Sequence, residues 1–489
     1  MSKATKTKGK KDWSLFLGTL VSAVLYALAF PPLNLFFLVG VALVPWLVVL
    51  KGKTTWQGFK SGYGFGMIFW ATQMFWLVPF VQKWTNSLGT ALIPYAAVVL
   101  LPPLYFAFVG MAMQRCLASG RTWMIPLVWA GMEWCRSYVP YLRFPWGLIA
   151  TPLANFPMLI QPAAIGTVFL VSAWVVLVNV LFVEIGLKSK PLAIMRTVLI
   201  ATAVGAGSAA FFTMFREEGT RLKVAAAQPG IDLAFGPEKD NQTALLNKVN
   251  ELYAQADAKG LDLVVFPEAM ADIQQADEIK ELVTVGKTPV VIGATRGSKP
   301  AHQSSLSIAD GQVGVADKTE LVIFGEYVPL RDQLPFLQNF NLPNSDLEPG
   351  ANPNVLTAGK VKVGPILCFE ALFPNVSAYM ANHGAQVLAC QSIDDWYKGT
   401  WAVEQLELSS RYRAVECQLP MIRAASTGTS MLISRTGEVF LSKATGEGLL
   451  EGEVNVMNRS LAFIGREYFG WVFAASWLVA LVMPVRKKK

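Results

Sequence analysis

The stretch VGPILCFEALFP, residues 363–374, sets an apolar run against a cysteine and a glutamate, with prolines close on either side. Read as a buried strand, residues 363–367 carry Cys368 to the strand end, where FEALFP turns the chain. Cys368 is then either a small apolar filler of a core or a nucleophile held where a strand gives way to a turn.

Working outward, residues 216–466 repeat this grammar. RLKVAAAQPG, LDLVVFPEA, TPVVIGATRG, SSLSIADGQVGVAD, AQVLACQS, PMIRAAST and SMLISRTGEVF read as strands, while TALLNKVNELYAQADAKG and AVEQLELSSRYRAVECQ read as helices. The segment is an α/β domain, and runs as apolar as LDLVVF predict a sheet covered on both faces. Its length suffices for a core without metals or disulfides.

The rest of the chain is different in kind. Of 489 residues 53% are hydrophobic and only 16% charged, and the mean hydropathy is +0.40, which predicts a membrane-embedded region. Apolar stretches of spanning length fall at 13–31, 33–50, 57–80, 89–114, 122–139, 162–186, 192–215 and 468–485, about eight spans in a multi-pass α-helical bundle. The lysine-rich start lacks a small-residue cleavage pattern before the second span, so it reads as an uncleaved anchor. The expected division is a basic tail at 1–12, a seven-helix transmembrane domain at 13–215, the α/β domain at 216–466 and a last span with a basic end at 467–489.

Basic residues crowd every second connection: Lys3 to Lys11, Lys51 to Lys60, Arg115 and Arg121, Lys188 to Arg196, and Arg486 to Lys489. The alternate connections hold only Lys83, Arg136 and Arg143. The positive-inside rule therefore places both termini in the cytoplasm and the α/β domain outside. The net charge of +8 is no nucleic-acid footprint, because residues 216–466 carry 22 Lys and Arg against 30 Asp and Glu, and the remainder 20 against 4.

Five cysteines make no disulfide framework. Cys116 and Cys135 belong to opposite membrane faces, and Cys390 and Cys417 read as buried free thiols, with a bridge between those two left open. His302 and His383 sit in polar, turn-like contexts, so neither a metal site nor a Cys-His dyad is expected, and no cofactor. Three strand ends do carry ionisable groups: Glu268 in LVVFPEA, Lys318 and then Glu326 after GQVGVAD, and Cys368 followed by Glu370. A desolvated carboxylate can accept a thiol proton, an ammonium can steady an oxyanion, and the product of thiol attack on a carbonyl is a thioester.

The ordered set Pro267-Glu268, Lys318, FGEYVP and Cys368-x-Glu370 resembles the carbon–nitrogen hydrolase, or nitrilase, superfamily. KTELVIFGEYVPLRD together with eight spans resembles its membrane-embedded acyltransferase branch, and the likeness covers nearly the whole chain. It implies a nitrilase-like α-β-β-α sandwich with Glu268 as general base, Lys318 as the oxyanion's cation and Cys368 as nucleophile, supported by Glu326, Glu370 and Phe369. Three departures stand out: Phe369 where the family has Tyr, SIDDWYKG where members show an NDAWF-like stretch, and no Lys-Trp pair around IDLAFGPEKD.

The resemblance implies acyl transfer from a phospholipid, through a thioester, to the amine of diacylglyceryl-cysteine apolipoproteins, on the periplasmic face of a bacterial inner membrane. The expected partners are phospholipid, apolipoprotein and the bilayer, not nucleic acid, with the protein a monomer. The rival is a membrane-anchored nitrilase-type amidase for a small substrate. A candidate lipid entrance gathers Arg143 and Trp146 of SYVPYLRFPWGLIATPLANFP with Phe336 and Leu337 of PLRDQLPFLQNFNLPN.

Overall fold

The computed structural model describes residues 13–139, 143–214, 219–236, 242–273, 286–328, 331, 333, 346–457, 460 and 462–484. The candidate entrance residues Phe336 and Leu337 lie outside them, as do the basic tail and the last five residues.

The first half is helical: α1 (Trp13–Leu28), α2 (Val44–Leu50), α3 (Thr55–Gln73), α4 (Leu77–Thr85), α5 (Leu88–Leu100), α6 (Pro103–Ala118), α7 (Ile125–Tyr138), α8 (Pro157–Ile160), α9 (Ala163–Gly186) and α10 (Pro191–Met214). Side chains such as Phe16, Ile93, Leu199 and Ile200 point outward from it, an apolar exterior suited to lipid. Glycines set the tightest packing. A Cβ on Gly62 of α3 would lie 2.1 Å from the Phe106 carbonyl of α6, and one on Gly110 of α6 would lie 2.4 Å from the Gly58 carbonyl, so these glycines let the two helices approach closely.

Each of the eight apolar stretches contains helix, but helix length separates them. Residues 88–118, 163–186 and 191–214 are long and apolar enough to cross a membrane, and a fourth crossing results if α3 and α4, bent by 48°, count as one. The helices at 13–28, 36–50 and 468–482 are apolar but shorter, about 24 Å or less at 1.5 Å per residue. The expected single span at 57–80 is broken at residues 74–76, which turns α4 toward the second half. α9 is broken too, at Gly166 and Thr167, whose backbone angles are non-helical.

The second half has two facing sheets. Among the described residues one runs in the order β13 (Gly448–Val456), β1 (Thr220–Gln228), β2 (Leu263–Val265), β4 (Val290–Arg296), β5 (His302–Ala309), β6 (Gln312–Asp317), with β3 (Ala271–Ile273) beside β4. The other runs β12 (Val439–Lys443), β11 (Ser430–Ile433), β10 (Met421–Ala425), β9 (Val387–Ser392), β8 (Val361–Leu367), β7 (Leu356–Ala358). Val224, Val265 and Val291 of the first meet Val363, Ala389 and Ile422 of the second in a shared apolar layer. α11 (Gln242–Ala258) covers the first sheet through Val249 and Leu252. α12 (Pro374–Asn382) and α13 (Ala402–Cys417) cover the second, completing helix–sheet–sheet–helix layers.

α13 is also the joint with the helical half, so its polar residues are buried. Tyr412 donates to the Ala150 carbonyl at 2.6 Å, Trp401 to that of Gln73 at 2.9 Å. Glu416 accepts from the Val168 amide at 2.7 Å, at the break in α9. There a carboxylate meets the exposed amides of a restarted helix, where negative charge is favoured. α14 (Tyr468–Val482) returns against α7, where a Cβ on Gly131 would come within 2.2 Å of the Phe473 carbonyl.

Candidate active site

β2, β6 and β8 end close together, and each end is backbone-strained or tightly packed. Glu268 is the third residue past β2, directly after Pro267, and the next residue, Ala269, has φ of 54°. Glycine is required at position 293, because a Cβ there would lie 2.5 Å from the Glu268 Cα. β6 hands over directly to Lys318, and β8 to Cys368, which has φ of 47° and opens a 3-10 turn over Cys368–Leu372. A left-handed non-glycine residue at a strand end costs about 1 kcal/mol or more and persists where packing over-determines it.

Lys318 is the hub. Its Nζ donates to Glu268 Oε1 at 2.9 Å and to Glu326 Oε1 at 2.6 Å. Glu268, Lys318 and Cys368 are exposed by only 3, 1 and 6%. Burial pushes the Glu268 carboxyl up to about 7, with Lys318 pulling down and Glu326 pushing up. Burial disfavours the Lys318 ammonium, but Glu268 and Glu326 outweigh it and hold the proton firmly. Burial, then the Glu268 charge, pushes the Cys368 thiol up, while Lys318 and a hydrogen bond from Ser392 pull it down. The resting site is a neutral thiol beside a fixed cation and a carboxyl that titrates near neutrality.

Glu370 ties two strand ends together. Its Oε1 accepts from the Thr319 amide at 2.7 Å, the Thr319 hydroxyl at 2.9 Å and the Glu320 amide at 3.3 Å, and its Oε2 from the Leu367 amide at 2.9 Å. Glu326 steadies its own turn through the Val322 amide at 2.8 Å. Phe369 points away into the helix layer, edge-on to Phe373 at 5.3 Å. Of the entrance candidates, Arg143 pairs with Glu320, two residues past Lys318, and Trp146 is buried 6.2 Å from Trp76.

Two family models match the chain. Residues 22–181 match the apolipoprotein N-acyltransferase N-terminal domain, and residues 223–460 the carbon-nitrogen hydrolase family. The apolipoprotein N-acyltransferase of Geobacter metallireducens is 29% identical over 97% of this chain and 96% of its own. Over nearly its whole length the chain is similar to the apolipoprotein N-acyltransferases, with a carbon-nitrogen hydrolase match in its second half. Another relative, the apolipoprotein N-acyltransferase of Allorhizobium ampelinum, is 28% identical over 88% of this chain and 87% of its own. Among solved structures, Saccharomyces cerevisiae Nit3, a member of branch 10 of the nitrilase superfamily, is 17% identical over 49% of this chain and 92% of that one, with a TM-score of 0.38.

Several residues of this site escaped the sequence reading. Ser392, at the end of β9, lies 3.5 Å from the Cys368 sulfur and 2.7 Å from Asp394. Asp394 is held by both terminal nitrogens of Arg423, at 2.9 and 2.8 Å. Gln391 donates to the Phe266 carbonyl at 2.7 Å and ties β9 to the Glu268 strand end. Tyr397 faces the charged groups from the side of α4, its ring 5.7 Å from Phe80 and 5.8 Å from Trp76. One signal was available: an arginine inside the apolar strand PMIRAA demands a buried carboxylate partner, and SIDD offers two.

Cys390 and Cys417 are buried and unpaired, the first beside the Ser410 hydroxyl and the second donating to the Ser377 carbonyl at 3.1 Å. His302 and His383 bind the Glu348 and Tyr379 carbonyls.

Proposed function

We propose that this acyltransferase moves an acyl chain from a phospholipid to the free amine of a diacylglyceryl-cysteine lipoprotein in two half-reactions joined by a thioester on Cys368. In the first, the thiol passes its proton to Glu268 as sulfur attacks the ester carbonyl. Lys318 faces the oxyanion, and Glu268 returns the proton to the departing oxygen of the lyso-phospholipid. In the second, the amine attacks the thioester, sulfur takes the bonding electrons, and Glu268 carries a proton from nitrogen to sulfur. Glu326 and Glu370 support the site.

The observation that carries this reading is the buried Glu268–Lys318 pair beside a cysteine held at a strained strand end. The likeness supports the substrates: the similar proteins are apolipoprotein N-acyltransferases. The spacing of basic residues supports eight crossings of a bacterial inner membrane, with both termini cytoplasmic and the catalytic domain periplasmic, and three of the apolar helices, or four with the bent pair, are long enough to cross. Arg143 and Trp146 then lie at the lipid entrance, and the protein works as a monomer. A site this buried admits little water, which favours aminolysis of the thioester over hydrolysis.

The test is reconstitution of the purified full-length chain with phospholipid and a diacylglyceryl-cysteine peptide. Acylated peptide and lyso-phospholipid in equal amounts are expected. Release of free fatty acid without peptide acylation would contradict the reading.

A further inference from the structure

Ser392 is buried at the end of β9, with its Oγ 3.5 Å from the Cys368 sulfur and 2.7 Å from Asp394 Oδ1. Both neighbours are placed to accept, yet a serine hydroxyl has one hydrogen. With Cys368 as a neutral thiol the contest is one-sided. A carboxylate at 2.7 Å is the stronger acceptor, so the hydrogen points to Asp394 and an Oγ lone pair faces the sulfur.

The balance changes when the sulfur becomes charged. Asp394 already receives two bonds from Arg423, with both side chains exposed by 2% or less, so its charge is largely met without the serine. A thiolate at Cys368 has Lys318 nearby, and among the described residues Ser392 alone reaches its sulfur with a side-chain hydrogen bond. Rotation about one C–O bond then brings the hydroxyl hydrogen to sulfur at little cost to the Asp394–Arg423 pair.

We propose that Ser392 is a further catalytic residue, whose hydroxyl hydrogen turns from Asp394 to the Cys368 sulfur each time that sulfur carries negative charge. This rests on the reading of Cys368 as nucleophile. The charge appears twice: when the thiol proton passes to Glu268 during attack on the ester, and when the tetrahedral adduct with the amine collapses and sulfur takes the C–S bonding electrons. Ser392 gives up no proton in either step. It lends a hydrogen bond to the sulfur anion and withdraws it when the proton or the acyl group returns. Asp394 and Arg423 act through Ser392 and are positioning residues. The groups facing the sulfur are thus Glu268, Lys318, Ser392 and Asp394, with Tyr397 on the α4 side.

The experiment is alkylation of Cys368 by iodoacetamide in the full-length protein, read as mass gain on the Cys368 peptide from about pH 6 to about pH 10. Wild type, Ser392→Ala and Ser392→Thr are compared, each checked by thermal melting. The alanine variant is expected to be alkylated about tenfold more slowly than wild type at each pH, the loss of thiolate that a rise of about one unit in the thiol pKa gives. It should also slow both half-reactions by about tenfold, and the threonine variant, which keeps a hydroxyl, should restore both. An unchanged alkylation rate in Ser392→Ala would overturn the proposal. So would a threonine variant that melts normally but titrates like alanine. Alkylation needs no lipid, so this readout decides the hydroxyl's role separately from the identity of the acyl donor.

Discussion

Lys318 holds its ammonium 2.9 Å from the Glu268 carboxylate, with the two side chains exposed by only 1 and 4%. A buried pair of this kind contributes little net stability, but losing one partner leaves an uncompensated charge in a low dielectric. Its use is electrostatic: it keeps a fixed cation and a titratable carboxyl beside the Cys368 sulfur.

The pH profile of acylation follows from the Glu268 carboxyl, pushed up to about 7 by burial. Only the carboxylate accepts a proton, and it predominates above that pKa. Single-turnover acylation should therefore rise as pH rises toward about 7 and level off above it, falling about tenfold per unit below. A glutamate at its ordinary value of about 4.3 would instead give a flat profile from about pH 5.5 upward. Glu268→Gln should remain unacylated at every pH.

Lys318→Met should slow acylation by about 10²–10³-fold, about 2.7–4 kcal/mol, if it removes an oxyanion partner. It also leaves Glu268 and Glu326 facing each other without a cation, so a loss of about 3–5 kcal/mol of stability is expected. Adding Glu268→Gln should recover part of the melting temperature but none of the activity, which separates the two effects.

Glu326 and Glu370 should fail differently. Glu370 bonds both the Thr319 segment and the Leu367 amide, so an amide in its place turns one acceptor into a donor facing a donor. Glu370→Gln should impair thioester formation itself. The Glu326 side chain is 17% exposed, more open than Glu268, and reaches Lys318 from the far side. Glu326→Gln should form the thioester and hold it when peptide is added, which intact mass before and after peptide reports.

Gly293→Ala places a methyl group 2.5 Å from the Glu268 Cα. Overpacking of this kind costs about 1–3 kcal/mol, and here it displaces the carboxyl, so melting temperature and acylation should fall together. Gly64→Ala on α3, with open space around its added Cβ, should leave both unchanged.

Glu268, Lys318 and Cys368 were legible because each is announced locally, by an ionisable residue where an apolar strand run stops. What the sequence left hidden depends on distant neighbours. Asp394 and Arg423 are 29 positions apart and become partners only when β9 and β10 pair. β13 was missed because GLLEGEVNV is half charged or glycine, the mark of an exposed edge, yet it pairs with β1 over nine residues. The break at 74–76 carries no proline or glycine to announce it. α13 reads as an ordinary polar helix, while Gln405, Ser410, Arg413 and Glu416 are buried by the joint between the halves.

The central claim is that Cys368 carries the acyl group. Intact mass and peptide mapping of the full-length protein after incubation with phospholipid alone test it most directly. Wild type, Cys390→Ala and Cys417→Ala should each gain one acyl group on the Cys368 peptide, and Cys368→Ala should gain none. An acyl group on Cys368→Ala, or on any residue other than Cys368 in the wild type, would contradict it.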